Sequence, residues 1–363
     1  MRKPFLLAAL AMVLASACCH AGDIAATPGT VSTFAKIPAP GQPEGIAIDP
    51  RDGSVWSGSN KARSKAVIWH HAADGTLLHT YEVMGHSEKA IHAINGIALD
   101  GQGRVYALDY HGARAIRLDP RTGAQEVYAT FADLPLCLSG RRPCEPGLLD
   151  RPAWPNWPTF DAQGNLYVSD LNQATIWKVP PGGGRARIWY QGADLASIYS
   201  LNGMQFDAQG RLNVMYTLST RLSQFLRGVV YRIPVNEDGS AGERSTVGTA
   251  CIGDGLTIGR SGRLYLPCSQ PLLNQLQVMD PDTGAVLASY PSAAVQKQLE
   301  IPMDAPASAA FRGTHLLVTN HALFTQDPAH FAILKLEVGE EGLPLFYPTI
   351  DTPVSTRTPE AAR

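Results

Sequence analysis

The chain has 363 residues, 45% of them hydrophobic and 17% charged, with 34 Gly, 27 Pro and a formal net charge of −2. That balance excludes a disordered or collagen-like chain and describes a turn-dense globular protein with a large core. A near-neutral charge offers no basic stripe for nucleic acid and no polybasic membrane patch, so the expected partner is a small molecule.

Residues 1–3 are a short basic start, and residues 5–17 form an apolar stretch too short to span a bilayer. Ala15-Ser16-Ala17 and Cys19-His20-Ala21 present small residues at the spacing read by signal peptidase, so residues 1–21 read as a secretory signal and the protein as exported, periplasmic or secreted. Cys18 and Cys19 leave lipidation at the cleavage point as the alternative to simple removal. Residues 22–30 read as a tether, 31–351 as one domain and 352–363 as a frayed polar tail. A second long apolar run is missing from the sequence, so no bilayer span is expected, and the expected state is a monomer.

Residues 31–37 read as a strand. Six copies of one pattern then follow: a polar residue, usually before Gly, a short alternating apolar run, a tight turn, and a second apolar run. They are EGIAIDPRDGSVW from Glu44, NGIALDGQGRVYAL from Asn95, NWPTFDAQGNLYVSD from Asn156, NGMQFDAQGRLNV from Asn202, DGLTIGRSGRLYL from Asp254, and a degraded PASAAFRGTHLLVTN from Pro306. The starts lie 46 to 61 residues apart, the size of a four-stranded propeller blade. Outer hairpins such as AVIWHHAADGTLLHTYEV and TIWKVPPGGGRARIWY fill the intervals. The expected fold is all-β, a six-bladed β-propeller with four-stranded blades around a central channel, the strand at 31–37 completing the last blade beside 331–338. The interval 131–155 is longer than a blade connection requires and is expected to be a functional loop or lid.

Of six cysteines, four lie in the body of the chain. Cys137 and Cys144 flank a short Gly- and Pro-containing loop, and Cys251 and Cys268 flank the fifth hairpin, so an exported chain is expected to form Cys137–Cys144 and Cys251–Cys268. Four buried free thiols are the alternative.

In a propeller the innermost strands begin near one mouth of the channel, so equivalent residues from distant repeats converge there. The starts supply Glu44, Asn95, Asn156, Asn202 and Asp254, all oxygen donors. Such a set suits a hard cation, Ca²⁺ first, with Mg²⁺, Mn²⁺ or Zn²⁺ behind it, and two carboxylates balance a divalent charge. Taken singly, Asn-Gly and Asp-Gly are common turn formers. Five oxygen donors in register, with Glu44 among them, favour a site. The sixth copy, starting at Pro306 with Asp304 two residues earlier, is expected to add no direct ligand. His92 and His111 are candidates for proton transfer near neutral pH or, as most histidines are, for a structural hydrogen bond. Asn320-His321 is placed to support the site from behind.

At these positions the chain resembles the senescence-marker-protein/gluconolactonase family, whose relatives include paraoxonases and diisopropylfluorophosphatase-like enzymes. The resemblance spans all six repeats and is carried by PEG at Pro43 to Gly45, PNW at Pro155 to Trp157, LNG at Leu201 to Gly203 and GDG at Gly253 to Gly255. It implies that Glu44, Asn156, Asn202 and Asp254 are metal ligands in a lactone or ester hydrolase. It also implies that Asp254 is the catalytic base or nucleophile, the alternative being a ligand with no proton-transfer role. Asn95 occupies a position where the family varies, so it is expected at substrate or at a metal-bound water. Sugar-lactonase members carry Arg where this chain has Trp154, which points away from a hydroxyl-rich sugar acid. Trp154, Trp157, Tyr110 and Met204 are expected to line the mouth and bind a more hydrophobic lactone or ester, with His111 beside them. A propeller that binds a small molecule or protein without catalysis, its metal structural, is the second reading.

Overall fold

In a computed structural model, residues 27–352 and 354 are described, apart from 148, 221, 271 and 272. The secretory signal, the lipidation alternatives Cys18 and Cys19, and most of the tether and tail lie outside them. Among the described residues the strands form six antiparallel sheets of four, one of them extended by Gly184–Arg185 pairing in parallel with Gln125–Thr130. Blade 1 runs outward from Pro43–Ile48, blade 2 from Ile94–Leu99, blade 3 from Pro155–Phe160, blade 4 from Leu201–Phe206, blade 5 from Thr257–Ile258 and blade 6 from Pro306–Arg312. The N-terminal strand Val31–Lys36 pairs with Ala332–Glu337 as the outer strand of blade 6, so the two ends of the described chain close the ring. The chain is therefore a six-bladed β-propeller.

The turns after the inner strands of blades 2, 3 and 4 have a common cause. Asp100 Oδ1 accepts the backbone N–H groups of Gln102 and Arg104 at 2.9 and 3.0 Å, and Asp161 and Asp207 hold their turns in the same way. This is the Asx turn that the repeated Asp sets up, and the glycine in it takes the left-handed backbone, as at Gly210 with φ +73°.

Apolar side chains from facing blades form the core. Trp56 and Ile68 of blade 1 pack with Ile97 and Val105 of blade 2. Leu108 and Tyr128 of blade 2 meet Phe160 and Trp177 of blade 3, and similar clusters seal the other junctions. Because each blade buries one face on each neighbour, the barrel of inner strands is held by its surroundings and leaves its axis hollow.

Both disulfides form. Cys137–Cys144 closes the loop before blade 3, and Cys251–Cys268 ties the start of blade 5 to the end of its second strand. Together they fit an oxidising compartment. After blade 6 an extended strap crosses the far end of the channel. Leu343 N donates to Ile258 O, Tyr347 Oη to Ile48 O and Gly101 N to Pro348 O. Arg104 donates to the carbonyls of Ile350 and Thr352, so the strap is pinned as far as Thr352. No helix among the described residues is long and apolar enough to cross a membrane.

A carboxylate and carboxamide cluster at one mouth of the channel

The inner strands share an irregularity that the sequence pattern did not announce. Pro43 pairs with Ser59 and Ile46 with Ser57, so the pairing slips between them, and the same slip recurs in blades 2, 3, 4 and 6. The second residue of each strand sits in this bulge, where it leaves the ladder and can be re-aimed. Those residues are Glu44, Asn95, Asn156 and Asn202. In blade 5 the isolated pairing of Gly253 with Cys268 puts Asp254 at the same place. The register corrects the reading of blade 6: Pro306 aligns with Pro43, so the residue equivalent to Glu44 is Ala307. Asp304 turns elsewhere, to His330 Nδ1 at 2.7 Å and the Thr325 hydroxyl.

The glycine after the polar residue is not a turn former. A Cβ on Gly45 would stand 2.1 Å from Asn95 O, on Gly96 2.4 Å from Asn156 O, and on Gly203 2.2 Å from Leu256 N. Adjacent blades approach through these glycines, and Gly203 N donates to Asp254 O while Gly255 N donates to Ala307 O. Gly recurs after the polar residue of blades 1, 2, 4 and 5 because the next blade leaves no room there for a Cβ, while blade 3 places Trp157 at that position, its ring against Gly255.

Glu44, Asn95, Asn156 and Asn202 are buried and Asp254 is half-buried. Burial raises the Glu44 carboxyl well above the usual range, and repulsion from Asp254 raises it further against an opposing hydrogen bond from Asn60. Asp254 is pushed up to about 7 by burial, although Asn202 and Ser269 donate to it. The partners of the pair are thus neutral carboxamides and a hydroxyl. Asn202 Oδ1 and Asn95 Oδ1 are buried with no hydrogen-bond partner, and Asn95 Nδ2 donates to Pro155 O at 3.0 Å.

Sequence reasoning passed over Asn60 and Ser269. Each follows the second strand of its blade, next to the bulge residue of the same sheet. Asn60 Nδ2 donates to Glu44, and its Oδ1 accepts Ala93 N at 2.8 Å. The same register position holds Tyr110 in blade 2 and His321 in blade 6. The signal was this recurring position; it carries no constant residue type.

Trp154, Tyr110 and His92 form one aromatic wall. The rings of His92 and Trp154 lie 4.3 Å apart, those of Tyr110 and Trp154 4.7 Å, and those of His92 and Tyr110 5.4 Å. Asp170 fixes it by accepting Trp154 N, while Trp154 Nε1 is buried without a partner. Burial lowers His92 to about 4 and His321 to about 3, the latter helped by His92 and Lys61, so both imidazoles are neutral at pH 7. His321 Nε2 also lacks a partner. Three expectations need correcting. His111 is exposed and meets His86, 5.9 Å away, instead of joining the wall. Trp157 and Met204 line a separate apolar cavity deeper in the channel, the Trp157 ring reaching the backbone at Gly255. The loop 131–155 delivers Trp154 and carries buried Glu145, which burial lifts to about 7.

The donor set fits a hard divalent cation. It is all oxygen, has two carboxylates that repel one another, and has a buried Asn202 oxygen with no other partner. Among the described residues no three His, Cys, Asp or Glu side chains gather for a metal, since the converging residues are two carboxylates and carboxamides.

No family model matches the chain, and no curated protein matches it in sequence. Solved structures match it in fold. A gluconolactonase from Xanthomonas campestris is 17% identical over 85% of this chain and 89% of its own, with a TM-score of 0.56. Regucalcin from Agrobacterium tumefaciens, a calcium-binding protein, is 16% identical over 90% and 98%, with a TM-score of 0.59. Virginiamycin B lyase from Staphylococcus aureus is 14% identical over 85% and 99%, with a TM-score of 0.54. At these identities the likeness establishes the propeller, and a fold shared with a lyase does not choose the chemistry.

Proposed function

We propose that the protein is an exported, divalent-metal-dependent hydrolase of a lactone or ester with an apolar flank. The observation that carries this reading is that buried Glu44 and half-buried Asp254 face one another with neutral partners only, beside the unpartnered Asn202 oxygen. Two desolvated carboxylates are costly without a cation. The similarity in fold to a gluconolactonase and to a calcium-binding regucalcin supports it.

Glu44, Asn156, Asn202 and Asp254 would hold the ion, Ca²⁺ by preference. Such an ion, when bound, polarises a scissile carbonyl and stabilises the oxyanion formed on attack. Asp254 takes the proton of the attacking water, beside the Ser269 hydroxyl, which donates to Pro306 O at 2.8 Å and lies 3.4 Å from the carboxylate. Asn60 orients Glu44. The wall of His92, Tyr110 and Trp154 binds the apolar flank of the substrate and keeps water from it. Neutral His321, with a free Nε2, is placed to exchange a hydrogen bond with a polar substrate atom.

Turnover of an aromatic lactone, an aliphatic lactone, an aryl ester and a phosphotriester, before and after EDTA, tests the proposal. The expected result is hydrolysis of the aromatic lactone that stops with chelator and returns with Ca²⁺. A panel with no turnover, together with a chelator-induced fall in melting temperature, favours the noncatalytic reading.

A further inference from the structure

The far end of the channel holds a cavity of about 370 Å³ that includes none of the mouth residues. Its wall is set by the residue three after each bulge position: Ala47, Ala98, Thr159, Gln205, Thr257 and Ala310. Five of the six are small, so the inner barrel is not filled there. Its floor is the strap, anchored by Leu343 N on Ile258 O and again at Tyr347 and Pro348. Between the anchors, Leu345 and Phe346 line the cavity and are partly exposed on the other side.

Gln205 gives this space a chemical character. It is 4% exposed, and its Oε1 accepts Thr257 Oγ1 at 3.0 Å and Ile258 N at 3.1 Å. A backbone N–H requires an oxygen opposite it, so the amide orientation is fixed and the NH₂ group turns the other way. Nε2 is buried and has no partner. A buried donor left unsatisfied in a mostly apolar wall is costly, and a ligand acceptor would relieve it.

We propose that this cavity is a second binding site, distinct from the mouth, for a small apolar molecule with one carbonyl oxygen received by Gln205 Nε2. The volume lies at the lower end of the range of ligand pockets and is more than twice the ~150 Å³ that admits benzene, which suits a bicyclic ketone.

The test uses 1-tetralone and tetralin, which share a bicyclic skeleton and differ in the carbonyl. Neither is hydrolysable, so the result does not depend on activity at the mouth, and EDTA should leave it unchanged. Calorimetric titration of the full chain is expected to show tetralone binding about tenfold more tightly than tetralin, the worth of one added hydrogen bond. Gln205→Met should reduce the ratio to about one, and Ala310→Phe, which fills the cavity, should abolish binding of both. No binding of tetralone to the unaltered protein overturns the proposal, as does equal affinity for the two probes. Binding that survives Ala310→Phe but is lost in Trp154→Ala would place the ligand at the mouth and overturn it as well.

Discussion

The two ends of the channel are built from the same six strands and differ in kind. At the mouth the second residue of each strand sits in a bulge, and in five blades that position holds an oxygen donor, two of them carboxylates. Three residues further on, the same strands present alanine and threonine around an apolar hollow closed by a strap. A bulge re-aims a side chain at one level only, so one strand can carry a charged site and an apolar one a few residues apart. The lesson is that equivalent positions, and not equivalent residues, define a site in a repeated fold.

The strongest way to break this division is to alter the mouth alone. Asp254→Asn should lower turnover of the aromatic lactone by about 10²–10⁴-fold, as loss of a general base does, while tetralone binding stays as it was. Asn60→Ala removes the donor to Glu44, and Ca²⁺ affinity measured by chelator competition should fall about 10- to 100-fold. Trp154→Ala takes away the centre of the aromatic wall, and KM for the aromatic lactone should rise about tenfold with kcat little changed.

A subtler difference is in pH. Burial, with repulsion between the pair, holds Glu44 and Asp254 above their unfolded values, Asp254 at about 7. Groups raised in this way contribute stability that is full below about pH 4 and lost as pH rises through about 7. The melting temperature of EDTA-treated protein should therefore fall over that window, and saturating Ca²⁺ should flatten the fall. Smallest is the effect of Phe346→Ala in the strap, expected to lower the melting temperature by a few degrees while changing lactone kcat/KM by less than about twofold.

The repeat was legible because its cause is local. Asp161 and Asp207 close their turns within four residues, so the Asp-Ala-Gln-Gly sequence states its own structure. Strand 31–37 completing the last blade was legible too, from the need to remove an edge. The bulge was not, since it is seen only against the second strand, and neither was the reason for Gly45 and Gly203, which lies in the next blade. Asn60 and His321 escaped because no shared residue type marks their position. That Trp157 and Met204 line the far cavity was not legible either, since it depends on how the strand runs beyond the bulge. The strap reads in sequence as an unpatterned tail, and only its hydrogen bonds to blades 1, 2 and 5 reveal it as the channel floor.

Calorimetric titration of chelator-stripped protein with Ca²⁺ at pH 6.5 and 8 tests whether Glu44, Asn156, Asn202 and Asp254 form one divalent-cation site. One ion per chain is expected, with proton release that is larger at pH 6.5, where Asp254 is partly protonated. Binding is expected to be lost in Glu44→Gln with Asp254→Asn. Absence of binding at millimolar Ca²⁺, or unchanged binding in that double variant, would contradict such a site.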